Sequence, residues 1–136
     1  MTTNLARRDI VSDMGIFRTT IRVESLTDPR RGRELVEVMV DTGSEYNWIP
    51  ASVLTDIGIT PVRMDHFETA DRRVLERDVG FAMIHAGGRS TATPVVFAHE
   101  TDLTLLGAIG LEGLNLRVDL ARRELVPAGP LPVAAA

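Results

Sequence analysis

A small all-β domain, closed or sandwich-like and with one or two short helices, is what this sequence predicts, and three observations predict it. Apolar and polar residues alternate with a period of two, most clearly where Phe17, Thr19, Ile21 and Val23 interleave with Arg18, Thr20, Arg22 and Glu24. Turn chemistry built from proline, glycine and aspartate recurs at roughly eight- to twelve-residue intervals, as in sandwiches and barrels. Only two brief stretches carry a helical pattern.

With 136 residues the chain has one-domain length, and such a chain buries roughly two thirds of its unfolded surface, enough to fold without disulfides or metal. A leader at 1–14, a domain at 15–127 and a tail at 128–136 are expected. There is no cysteine, which excludes a disulfide scaffold, a thiol nucleophile and cysteine metal sites, and fits a reducing compartment. Charged residues are 25% of the chain and the net charge is −4, too mild for an electrostatic binder of nucleic acid or membrane. The arginine pairs (Arg7 and Arg8, Arg30 and Arg31, Arg72 and Arg73, Arg122 and Arg123) are dispersed, as solvated faces and turns require. The leader lacks the apolar core of a secretory signal, and no run approaches the ~20 apolar residues of a membrane span. A soluble, cytoplasmic protein is expected.

In chain order, the first strand is the alternating run Phe17–Glu24, followed by turn residues Thr27, Asp28, Pro29 and Gly32. A second strand at 34–40 should return as a hairpin, placing Val36, Val38 and Val40 on one face and delivering Asp41 at its end. Residues 46–49 read as a short strand. Pro50 suits the start of a helix whose face is Val53, Leu54 and Ile57 and whose C-cap is Gly58. Residues 61–69 are extended up to a turn at Ala70, Asp71, Arg72 and Arg73. A long strand at 74–86 reaches Gly87-Gly88, a strong hairpin signal. The return strand covers 89–97, and Pro94 within it signals an edge or a bulge. An apolar strand at 103–107 stops at Gly107. A short helix at 108–114 follows, carrying Gly110 and Gly113, each of which weakens a helix by ~1 kcal/mol. A last hairpin pairs 116–119 with 123–126 across Leu120, Ala121 and Arg122, and the tail is expected to fray or to be held by a partner.

Chemistry has few places to reside. His66, His85 and His99 have no helix-face metal spacing, so they read as surface or turn residues, and no metal or other cofactor is implied. Ser44 has no histidine at a diagnostic distance, and Gly87-Gly88 is a turn, not a phosphate loop. Trp48 and Tyr46 read as core and rim. Asp41-Thr42-Gly43-Ser44 is different. An acid ends a buried strand, Gly43 permits a sharp turn, and Thr42 and Ser44 offer hydroxyls to fix the carboxylate. The triplet alone leaves Asp41 open as a plain turn residue.

In context, the sequence resembles the retropepsin-like aspartic proteases, in particular their small single-domain bacterial members, over about 16–126. Val38 to Ser44 match an apolar strand running into an Asp-Thr-Gly-Ser loop. Leu105-Leu106-Gly107 resembles the two hydrophobes and glycine that pack beside that loop, and a short helix and terminal strand follow at 108–114 and 116–119. The resemblance implies a closed β-barrel-like lobe, one per chain, and an endopeptidase. With only one Asp-Thr-Gly present, it also implies a homodimer in which Asp41 of each protomer shares one proton and activates water against a peptide or protein substrate. It further implies that Thr42 ties the two loops across the axis and that Ser44 hydrogen-bonds its own loop's carboxylate. Residues 67–74 fall where the family has its flap. Here the sequence departs: the tip Ala70-Asp71-Arg72-Arg73 is bulky and charged, where retroviral flaps are glycine-rich. Ala108 stands where retroviral enzymes place a dimer-bracing arginine. A non-catalytic dimerisation or peptide-binding module of the same fold is the alternative.

Overall fold

The computed structural model describes residues 17–134; the expected leader lies outside them. The alternating run forms β1 (Phe17–Glu24), with Phe17, Ile21 and Val23 buried. It pairs antiparallel with β2 (Gly32–Val40) across a turn in which the Asp28 carboxylate accepts the Arg30 N–H at 3.1 Å.

Val36 does not share a face with Val38 and Val40: it is 67% exposed. Val38 opposes Thr19 but Leu35 opposes Ile21, so Val36 and Glu37 together face Thr20 alone. This is a β-bulge, and the extra residue reverses the alternation. Glu37 takes the positive φ of 57° that the kink needs, and Leu35 packs inward in place of Val36.

After β3 (Asn47–Pro50) comes α1 (Ala51–Asp56). Val53, Leu54 and Ile57 are buried as expected. Gly58, at φ +86°, ends the helix: its N–H donates to the Thr55 carbonyl and that of Ile59 to the Leu54 carbonyl, a Schellman closure. The hairpin of β4 (Arg63–Glu68) and β5 (Val74–Ala86) follows. Gly87 and Gly88, both at positive φ, turn β5 into β6 (Arg89–Ala98). Pro94 sits one residue before the β3 ladder begins at Asn47↔Val95, at a local edge where its missing N–H costs nothing.

The strand expected at 103–107 shrinks to β7 (Leu105–Leu106). Leu103 is 59% exposed, because the chain turns at 99–102 before entering the sheet. Then come α2 (Ala108–Leu114), β8 (Leu116–Asp119) and β9 (Glu124–Pro127). The last strand begins one residue later than expected, since Arg123 adopts φ 53° within the turn. Past β9, Ala128 donates to the Asn115 carbonyl, and the Asn115 side chain donates to that of Gly129. Leu131 and Val133 are exposed.

The result is mostly β with two short helices. The main sheet runs β1-β2-β7-β3-β6-β5-β4, and β1 also pairs with β5. The pairings therefore pass from β1 round to β5 and back to β1, with β4 outermost. Ile21, Val38, Ile49, Ile84, Val95 and Leu106 belong to the core. The hairpin β8-β9 is a separate sheet.

Candidate active site

Val38 and Val40 are buried on β2, and the strand ends at Val40, so Asp41 emerges where the ladder stops. Its backbone remains tied to the sheet: β2 runs parallel to β7, with Met39↔Leu105 and Val40↔Leu106, and the Asp41 N–H donates to the Leu106 carbonyl at 3.0 Å. The turn closes by Ser44 N–H on the Asp41 carbonyl at 3.1 Å. The Gly43 N–H donates to the Asp41 carboxylate at 2.9 Å. Asp41 is half-buried, and Thr42 and Gly43 are exposed.

Ser44 behaves differently from expectation. Its hydroxyl donates to the Tyr46 carbonyl at 3.1 Å, so a backbone amide, not the serine, orients the carboxylate. The tight turn carries the hydroxyl onward to a carbonyl that would otherwise lack this donor.

Gly107 seals the far side of the loop. A Cβ there would overlap the Tyr46 carbonyl oxygen and lie 2.7 and 2.8 Å from those of Ser44 and Glu45. Only glycine permits this approach. The first amides of α2 then serve the loop: Ala108 N–H donates to the Ser44 carbonyl at 2.8 Å and Ile109 N–H to that of Glu45 at 2.9 Å. Helix-start donors that lack partners inside the helix are thereby satisfied.

Asn47 belongs to the site although it lies in no motif of the sequence. Fully buried, it accepts the Gly107 N–H at 2.9 Å and donates to Thr93 Oγ1 at 3.1 Å and the Pro94 carbonyl at 2.9 Å. One side chain thus joins β3, β6 and the β7-α2 junction. Its signal was an asparagine in step with Ile49 on the inward face of β3. Gly110 and Gly113 belong to the same arrangement, since a Cβ would overlap Asn47 Oδ1 at the first and Thr91 Oγ1 at the second. Their helix cost accompanies close packing.

Two cavities flank the loop. One, of about 520 Å³, is bordered by Asp41, Thr42, Phe17, Leu111, Leu116 and Leu120. The other, of about 480 Å³, lies between Gly43, Ser44 and Glu45 on one side and β4 on the other. Tyr46 and Trp48 border this second cavity, half-buried, and Trp48 is not in the core. Phe67 of β4 meets both edge-on, with ring centroids 5.8 and 5.1 Å away, which seats the β4-β5 hairpin over the loop. Arg63 adds a hydrogen bond to the Tyr46 hydroxyl at 2.9 Å.

At the hairpin tip, Thr69 N–H donates to the Arg73 carbonyl at 2.8 Å and Arg73 N–H to the Thr69 hydroxyl at 3.0 Å. Ala70, Asp71 and Arg72 form the loop between them, with Arg72 at φ +72°, the left-handed place glycine favours in such turns. The Thr69 hydroxyl bonds the Asp71 carboxylate, and this bond, together with the Arg73 guanidinium, holds that acid below its ordinary range. Arg72 pairs with Glu68 at 3.2 Å.

Below the hairpin, Arg77 of β5 reaches the 99–102 turn. It makes two parallel bonds to the Asp102 carboxylate, 2.7 and 3.0 Å, and the two side chains are 10% and 9% exposed. Asp102 also accepts the His99 N–H at 2.7 Å. The Arg77 guanidinium holds the Asp102 carboxyl below its ordinary value, against the opposing pull of burial.

Among the described residues, no group of three or more potential metal ligands gathers, and no helix is long and apolar enough to cross a membrane. No family model matches the chain, and no curated protein matches its sequence. Among solved structures, the solution structure of Simian Foamy Virus (mac) protease is similar to 69% of this chain and 92% of that one, at 18% identity and a TM-score of 0.47.

Proposed function

We propose that the protein is an aspartic endopeptidase of the retropepsin-like kind, acting as a homodimer in which Asp41 of each protomer meets its symmetry mate. The observation that carries this reading is the setting of Asp41: a carboxylate at the end of a buried strand, held by the Gly43 amide, on a loop that Gly107 and α2 fix from behind. On this reading 15–127 is the lobe, and the return of the pairings to β1 supports a closed barrel.

The chain has one Asp-Thr-Gly, and hydrolysis needs a base and an acid together, so a second copy supplies the other carboxylate. Two carboxylates about 3 Å apart repel by roughly 5 kcal/mol at an effective dielectric near 20, about four pK units. They therefore hold one proton between them over a wide pH range. The ionised member takes a proton from a water between them, and the protonated member donates to the scissile carbonyl oxygen; the two pKa values belong to the pair. Thr42 at the exposed tip reaches the opposite loop, and the turn at Ala70 to Arg73 covers the bound peptide.

Asp41→Asn is expected to lower kcat on a mixed peptide library between about pH 4 and 7 by roughly 10²- to 10⁴-fold, the usual scale for a lost general base. Undiminished cleavage overturns the assignment, and so does cleavage by a species that stays monomeric with substrate present.

A second reading is favoured by one feature, the outermost position of β4 in the sheet. An unpaired strand edge can hold an extended peptide by strand addition without cutting it. Peptide binding with no new termini would favour that module.

A further inference from the structure

We infer that the Arg77–Asp102 pair is a positioning device that couples the β4-β5 hairpin to the Asp41 loop through β7. The inference rests on the protease reading for its catalytic consequence, but not for its structural one.

β7 is only two residues long, yet it supports Asp41 through the Leu106 carbonyl. So short a strand cannot hold its register by its own ladder, and its placement depends on what grips the chain at either side. On the downstream side the grip is Asn47 on the Gly107 amide. Upstream, only Leu103 and Thr104 separate β7 from Asp102, and Leu103 is exposed. The grip there is the Asp102 carboxylate, which closes its own turn on the His99 N–H and takes the Arg77 fork. The fork fixes orientation as well as distance, since both of its bonds must align.

Arg77 stands opposite Asp65 of β4, within the hairpin whose Phe67 rests on Tyr46 and Trp48. A shift of that hairpin is thus transmitted by Arg77 to the turn before β7, and so to the carbonyl that holds Asp41. An acid that must meet a symmetry mate tolerates little displacement, because misplacement by about 1 Å can cost roughly 100-fold in rate.

The test uses Arg77→Met, Arg77→Lys and the double variant Arg77→Met/Asp102→Asn in the full chain, with wild type alongside. Hydrogen exchange at the Asp41 amide, thermal midpoint and, for peptides the wild type cleaves, kcat and KM are measured. Arg77→Met leaves a half-buried charge unpaired and lowers the midpoint, whereas the double variant removes both charges and regains most of it. The positioning role predicts that the double variant still exchanges the Asp41 amide at least about tenfold faster than wild type. It also predicts kcat about 10- to 100-fold lower with KM little changed, and Arg77→Lys lies between. Full recovery of exchange and kcat in the double variant, along with the midpoint, overturns it. If wild type cleaves nothing, the protease reading fails while the exchange measurement still decides the coupling.

Discussion

Two sharp, polar turns in this molecule are held in opposite ways. The Asp41 turn is fixed by distant parts of the chain: the Leu106 carbonyl takes its amide, α2 donates into the loop behind it, and Asn47 and Gly107 fill the space beneath. The 69–73 turn is fixed by itself. Thr69, Asp71 and Arg73 bond one another at an exposed tip, and Arg72 pairs with Glu68 only four residues away. Long-range buried contacts make a site rigid with the whole fold, whereas local exposed ones can open alone at small cost. On the proposed protease reading, a loop that presents a carboxylate accurately and a hairpin that moves over a peptide would call for this division.

Gly107 is where the loop is most vulnerable. Gly107→Ala sets a Cβ against three backbone carbonyls that cannot swing aside. The expected loss is about 3 kcal/mol or more, at or above the top of the usual overpacking range, read as a fall in the urea midpoint and, on the protease reading, as lost cleavage. Asn47→Ala comes next. It strands the buried Gly107 amide and the Pro94 carbonyl, and is expected to cost about 2 to 3 kcal/mol. If either variant is as stable as wild type, the loop is not held from behind.

Two carboxylates sharpen the same contrast through pH. Asp102 and Asp71 both lie below their ordinary value of 3.8, the first through Arg77 and the second through Thr69 and Arg73. A depressed folded-state pKa gives stability that is present above the unfolded value and lost as pH falls through the folded one. For Asp102, half-buried against Arg77, that loss belongs to the global unfolding equilibrium below about pH 4. For the exposed Asp71 the same linkage holds, but solvent screening leaves its contribution small. Denaturation series from pH 5 downward should therefore show a shallower acid slope in Asp102→Asn than in wild type, and a nearly unchanged slope in Asp71→Asn. Equal flattening in both variants would mean that the tip is as integral as the anchor.

Much of this contrast was legible in the sequence wherever it depended on local chemistry. The β1 alternation, the Gly58 closure, the Gly87-Gly88 turn and the strand ending at Asp41 each follow from a residue's own conformational preference or from short-range periodicity. What escaped were features set by contacts between distant segments. The bulge at Val36 and Glu37 was hidden because Leu35 and Val36 are both apolar, so either can be read as the inward residue. The roles of Asn47, Gly110, Arg77 and Asp102 require knowing which segments meet, and no spacing along the chain reports it. The resemblance implies a bond from Ser44 to the carboxylate of its loop, while the turn aims its hydroxyl at the Tyr46 carbonyl.

The smallest expected effect probes the tip itself. Arg72 holds φ +72°, where a side chain costs about 1–2 kcal/mol relative to the right-handed region. Arg72→Gly relieves that cost. Against it stand the greater freedom glycine gives the unfolded chain, about 0.4–1 kcal/mol, and the loss of the exposed pair with Glu68, worth about 0–1 kcal/mol. The balance runs from a loss of about 1 kcal/mol to a gain of about 1.6 kcal/mol, with stabilisation favoured because exposed pairs usually fall near the bottom of their range. The urea midpoint should therefore barely move or rise slightly, amide exchange across 69–73 should barely change or slow, and that of Asp41 should stay as it was. A fall in global stability beyond about 1 kcal/mol would show that Arg72 reaches further than its own turn. In that case the tip and the Asp41 loop would be parts of one cooperative unit, not two.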